Sequence, residues 1–228
     1  MTTDVSPAAR PPATPPTVAR RGYLAAEYAL LFFGAVLGYV LAGSPGSPIP
    51  PLLLLAGLAA LYLRRRPGVD RRTWWGWAAL RTEWVPMLRL WAVAAGVAVV
   101  ALAVLAPERL FGLPREAPLL WGAIVLLYPL FSVYPQEVIF RAFLMRRYAP
   151  VFGTGWWLVA ASALAFGFVH LIFGNLLSVL LTLAGGWLFA RRYRRSGSLL
   201  VASVEHALYG LLVFTVGLGD FFYHGAAG

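Results

Sequence analysis

The chain has no cysteine, which excludes disulfides, iron–sulfur clusters and thiolate catalysis. It has no lysine either, so every one of its 19 basic residues is arginine, and only 12% of its 228 residues carry a charge. With so few ionisable groups, a soluble surface cannot be built around a core of this size, because 60% of the residues are hydrophobic. The composition is that of an integral membrane protein. A formal net charge of +10 raises the question of nucleic acid. The arginines, however, flank apolar runs, an arrangement that anchors helix ends at a lipid headgroup layer and argues against a nucleic-acid partner.

What is present is a series of apolar runs, each to be judged against the roughly 20 residues a helix needs to cross the hydrocarbon core. The runs predict spans over about Tyr23–Ala42, Ile49–Leu63, Leu88–Ala106, Leu119–Tyr148, Trp156–His170, Leu176–Phe189 and Leu199–Val216, with a partial eighth element near Leu218–Tyr223. The expected fold is all-α, a polytopic transmembrane bundle of about seven to eight helices with an internal polar cavity. Residues 1–22 are rich in Pro, Thr and Ala and read as a disordered cytoplasmic tail, leaving 23–228 for the bundle. No small-residue cleavage site follows the first apolar run, so it reads as a retained span rather than a signal peptide.

Loop charges give an orientation. Arg10, Arg20, Arg21, the run from Arg64 to Arg72, Arg146, Arg147 and the cluster Arg191–Arg195 fall at one set of span ends, and only Arg109 and Arg115 at the other. Retention of arginine on the cytoplasmic side predicts a cytoplasmic N-terminus, in a bacterial cytoplasmic membrane. Between Arg71 and Trp91, five tryptophans alternate with arginines, the pattern of an interfacial helix lying against the cytoplasmic leaflet.

Five ionisable residues interrupt the apolar spans: Glu137, Arg141, His170, Glu205 and His206. Each costs about 2.5 to 3.5 kcal/mol near a bilayer centre, so they must satisfy one another. Glu137 and Arg141 are spaced i, i+4, which sets them on one helix face within reach of a guanidinium–carboxylate pair. Counted inward from the arginine-rich ends, Glu137 and His206 lie at similar depths of about 15 Å, with His170 nearer the far side. His170 follows small-residue pairs, Ala161 with Ala165 and Ala163 with Gly167, that permit close helix approach. His224, near the C-terminal end, reads as an interfacial residue rather than a ligand.

Three motifs in order, Gln136–Arg141 (QEVIFR), Phe166–His170 (FGFVH) and Glu205–Gly210 (EHALYG), resemble the EExxxR, FxxxH and HxxxN motifs of the CAAX-protease and bacteriocin-processing (CPBP, Abi) family of glutamic intramembrane endopeptidases. The resemblance covers residues 119–216 and implies hydrolysis of a peptide bond in a membrane-associated peptide or protein. It assigns Glu137 to the arginine-pairing place, Arg141 to its partner, and His170 and His206 to the two histidine places. Two positions depart from the pattern. Gln136 stands where the family has the glutamate that activates water, and an amide accepts no proton at neutral pH. Gly210 stands where the family has asparagine, which removes a donor.

Glu137 is the first candidate for the missing base and Glu205, next to His206, the second. Asn175 and Tyr209 are candidates to replace the lost donor. No cofactor is expected; zinc held by His170, His206 and a carboxylate is the alternative. The competing functions are a non-catalytic scaffold or immunity protein of the same fold, favoured by Gln136 and Gly210, and a transporter, disfavoured because no inverted repeat is visible.

Overall fold

The computed structural model describes residues 16–66 and 74–222. Among these the chain is helical without strands, and seven long helices carry the architecture. They are α1 (Val18–Leu41), α2 (Ile49–Arg64), α3 (Trp77–Leu105), α4 (Pro118–Arg147), α5 (Trp156–Phe173), α6 (Leu176–Ser196) and α7 (Leu199–Val216). Five of them, α1, α3, α4, α5 and α7, are long and apolar enough to cross a membrane. The chain is an integral membrane protein. The outer surface agrees, because Val93, Val97, Val100 and Val104 form an exposed stripe along α3 that water would not tolerate and hydrocarbon does.

Helix ends follow local chemistry. Thr17, Asn175 and Ser198 cap α1, α6 and α7 by accepting backbone N–H bonds from Arg20, Ser178 and Val201. Pro50 and Pro51 lie in the first turn of α2, where a missing N–H costs nothing. The first helix begins five residues before the expected span, at Val18, while residues 1–15, the rest of the expected tail, lie outside the described residues, as does His224.

One expectation needs correction. The tryptophan-rich segment is not a separate interfacial helix, since α3 starts at Trp77 and continues through Trp91 to Leu105. Pro86 sits inside it without ending it, as neighbouring helices in a membrane bundle can support the freed backbone group. The partial eighth element expected near Leu218–Tyr223 is present among the described residues as a short 3₁₀ turn over Gly219–Phe221.

Helix α4 is continuous but irregular. Wide π turns at Pro129–Val133 and Val138–Phe143 flank the short α-helical stretch Tyr134–Glu137. Such turns act as one-residue insertions and rotate everything beyond them about the helix axis. Pro129 contributes directly, having no N–H to complete the regular ladder.

Packing is closest between α5 and α6. A Cβ added at Gly186 would lie 3.2 Å from the Ala163 Cα and 3.0 Å from the Phe166 ring, and one at Gly167 would lie 3.1 Å from the Leu183 Cα. The two backbones therefore touch through small residues, as the Ala163–Gly167 spacing predicted. Helix α7 is held from two sides, by Trp91 Nε1 donating to the Leu208 carbonyl at 3.0 Å and Trp121 Nε1 donating to Thr215 Oγ1 at 3.1 Å. Tyr28 donates to the Ala161 carbonyl at 2.8 Å, which fixes α1 to α5.

A Gly186→Leu substitution should force α5 and α6 apart. We expect a loss of about 1 to 3 kcal/mol, read as an earlier unfolding transition in detergent, with Gly22→Leu, at a position with open space around it, close to wild type.

Candidate active site

Four of the five ionisable residues singled out in the apolar spans, Glu137, Arg141, His170 and His206, converge between α4, α5 and α7. Glu137 and Arg141 have no exposed surface, and Arg141 Nε lies 3.1 Å from Glu137 Oε2. Their contact is electrostatic rather than a well-aligned hydrogen bond, since neither atom meets hydrogen-bond geometry. Arg141 is held further by donation to Ser162 Oγ at 3.2 Å, and Ser162 in turn donates to the Phe140 carbonyl at 2.8 Å. The guanidinium also lies over the Phe166 ring, 4.7 Å from its centroid, a favourable placement for a buried cation.

The other oxygen of Glu137 faces α7. His206 Nδ1 is 2.9 Å from Glu137 Oε1. A carboxylate only accepts, so Nδ1 carries the proton and the lone pair is left on Nε2. The imidazole stacks on Phe189 with 4.7 Å between centroids, and the Phe166 edge closes another side at 5.2 Å. The ring thus has one orientation, set by a carboxylate and two aromatic walls.

His170 comes from the last turn of α5, which tightens into a 3₁₀ turn over His170–Phe173. Its Nδ1 is 2.7 Å from the Phe166 carbonyl, so it too carries its proton there and keeps Nε2 as an acceptor. Phe166 touches both imidazoles, lying 4.8 Å from the His170 ring, and is the shared wall between them. Around this group, Gln136 Oε1, Arg141 Nη2, Ser203 Oγ and Tyr209 OH are buried with hydrogen-bonding capacity that no protein group fills.

Several sequence candidates do different work. Glu205 faces away from His206 and is gripped by Arg192, whose Nε and Nη2 donate to its two oxygens at 2.9 and 2.6 Å. Arg192 and Arg195 also bind Glu83 of α3, so the four groups lock α3, α6 and α7 together. A carboxylate held by a two-pronged guanidinium is a structural anchor and poorly placed to take a proton from water. Asn175 is equally committed. It caps α6 and donates to the Phe173 and Phe221 carbonyls at 3.1 and 2.8 Å. Tyr209 packs its ring 6.0 Å from Phe189, the ring that stacks on His206. Gln136 donates to Ser132 Oγ at 2.8 Å, one turn back on α4.

Sequence reasoning missed Ser162, Glu83 and Arg192, whose roles depend on contacts between helices. It also left Glu27 without a task. Glu27 binds Arg147 at 2.8 and 2.6 Å and accepts from Tyr148 at 2.9 Å, while Arg147 donates to Tyr62 at 3.2 Å, joining α1, α2 and α4. For zinc, the fit is poor: among the described residues no three His, Asp or Glu side chains form a metal-holding group. Both oxygens of Glu137 already face a cation or an N–H.

Residues 117–212 match the family model described as type II CAAX prenyl endopeptidase Rce1-like, within the CAAX-protease family that the three motifs resemble. No curated protein matches the chain, and no solved structure does.

Arg192 makes the anchor testable. Arg192→Met should leave Glu205 as an unpaired buried charge and lower stability by about 3 to 5 kcal/mol. The double variant Arg192→Met/Glu205→Leu should recover most of that loss in the same denaturation assay.

Proposed function

We propose, from the CAAX-protease character of the segment carrying all three motifs, that the chain is an intramembrane endopeptidase in which Glu137 and His206 act together as the water-activating unit. The observation that carries this reading is the 2.9 Å contact between His206 Nδ1 and Glu137 Oε1. A carboxylate in that position orients the imidazole, holds its tautomer and stabilises the imidazolium that forms when Nε2 takes a proton. Gln136 then need not serve as the base.

In the proposed reaction, a water oxygen attacks the peptide carbonyl carbon while His206 Nε2 removes one of its protons. His170 Nε2, with its lone pair available, accepts a hydrogen bond from the same water and fixes its direction. The carbonyl oxygen becomes an oxyanion. When the intermediate collapses, the C–N bond breaks and the departing amine takes the proton from His206, which restores the neutral imidazole. Arg141 balances the Glu137 charge, so the site as a whole does not bury a net anion.

The substrate in this reading is a membrane-associated peptide or protein, and the family description directs the first trials to C-terminal prenylated peptides. The arginine-rich helix ends face the cytoplasm. A non-catalytic peptide-binding role is the second reading, and the amide at Gln136 is the observation that favours it.

Purified protein in nanodiscs, incubated with prenylated and unprenylated peptides, separates the two. Glu137→Gln and His206→Ala should each lower kcat by about 10³- to 10⁴-fold. Peptide binding without cleavage by the wild-type protein would instead establish the second reading.

A further inference from the structure

The loss of the family asparagine at Gly210 coincides with a feature of α4 that none of the motifs contains. A side chain cannot be placed on Gly210, because its Cβ would collide with the Tyr128 hydroxyl and lie 2.7 Å from Tyr128 Cζ. The phenol therefore fills the space in which a side chain of residue 210 would start. Gly210 is one turn beyond His206 on the same face of α7, and the Tyr128 ring lies edge-on to the His206 imidazole at 6.4 Å. Among the described residues, no protein group accepts a hydrogen bond from the Tyr128 hydroxyl.

The irregularity of α4 explains how Tyr128 reaches this place. Nine positions separate it from Glu137, and at about 100° per residue a regular helix would put the two on opposite faces. The π turn at Pro129–Val133 removes one position from that count, which brings them within about 80° of each other. Both then meet α7, Glu137 at His206 and Tyr128 at Gly210.

We infer that Tyr128 is a catalytic residue whose hydroxyl donates to the carbonyl oxygen of the substrate as it becomes an oxyanion, taking over from the donor absent at position 210. This inference rests on the endopeptidase reading above. No proton is transferred in the step: the hydroxyl hydrogen bond strengthens as negative charge develops on the oxygen and relaxes when the C–N bond breaks. Glycine at 210 and tyrosine at 128 form one unit, because a larger residue at 210 expels the phenol.

The test uses the full chain in nanodiscs with a peptide the wild-type protein cleaves. Tyr128→Phe keeps the ring and removes only the hydroxyl, and it should lower kcat by about 10²-fold with KM and thermal unfolding unchanged. The exchange Tyr128→Ala/Gly210→Asn opens the space and returns an amide, and it should regain about tenfold in kcat over Tyr128→Ala alone. Wild-type kcat in Tyr128→Phe, or a loss appearing only in KM or in stability, would overturn the role of Tyr128 while leaving the peptidase reading in place. Absence of cleavage by the wild-type protein across prenylated and unprenylated peptides would overturn both.

Discussion

Between α4 and α7 a carboxylate and an imidazole, 69 residues apart in the chain, meet at 2.9 Å where almost no surface is exposed. In a low-dielectric interior such a pair holds only if every charge around it is answered, since a buried carboxylate without a partner costs several kcal/mol. Arg141 answers Glu137 from one turn away, Ser162 and the Phe166 ring answer Arg141, and His206 takes the remaining oxygen. That chain of compensation dictates which faces of α4, α5 and α7 turn inward. It also explains why the interior is lined with rigid aromatic rings, which exclude lipid and water without adding charges of their own.

The geometry depends on departures from regular helix. Two π turns on either side of Tyr134–Glu137 rotate the tyrosine, the carboxylate and the guanidinium towards the centre of the bundle. A tight 3₁₀ turn begins at His170, where the regular part of α5 ends. Each irregularity weakens local backbone bonding, and each lies where neighbouring helices pack against it. Arg141 lies within one of these wide turns, Glu137 at the edge of one, and His206 on the regular helix α7.

Two further ion clusters brace the arginine-rich end. Glu27 with Arg147 joins α1, α2 and α4, while Glu83 and Glu205 with Arg192 and Arg195 join α3, α6 and α7. They divide the bundle between them, and α5 bridges the halves through its close contact with α6 and the Tyr28 bond to its backbone. The same arginines that mark the helix ends in sequence thus serve as interhelical clamps, so their clustering has a structural consequence beyond orientation in the membrane.

Fold class and most helix positions were legible in the amino-acid sequence because hydrophobic length is a local property, and α7 coincides with its predicted span from Leu199 to Val216. The polar residues of the site were legible for a related reason, as Glu137, Arg141, His170 and His206 stand out against apolar neighbours. What each of them touches was not. The spacing of Glu205 beside His206 suggested a shared role, yet adjacent residues on a helix point about 100° apart, and only the packed bundle shows Arg192 waiting on the other side. Gly210 read as a missing donor, and only the tertiary structure reveals the phenol that fills its place. Sequence determines which groups the membrane forces inward; the rotation of each helix, set by packing and by π turns that no residue pattern announces, decides which of those groups meet.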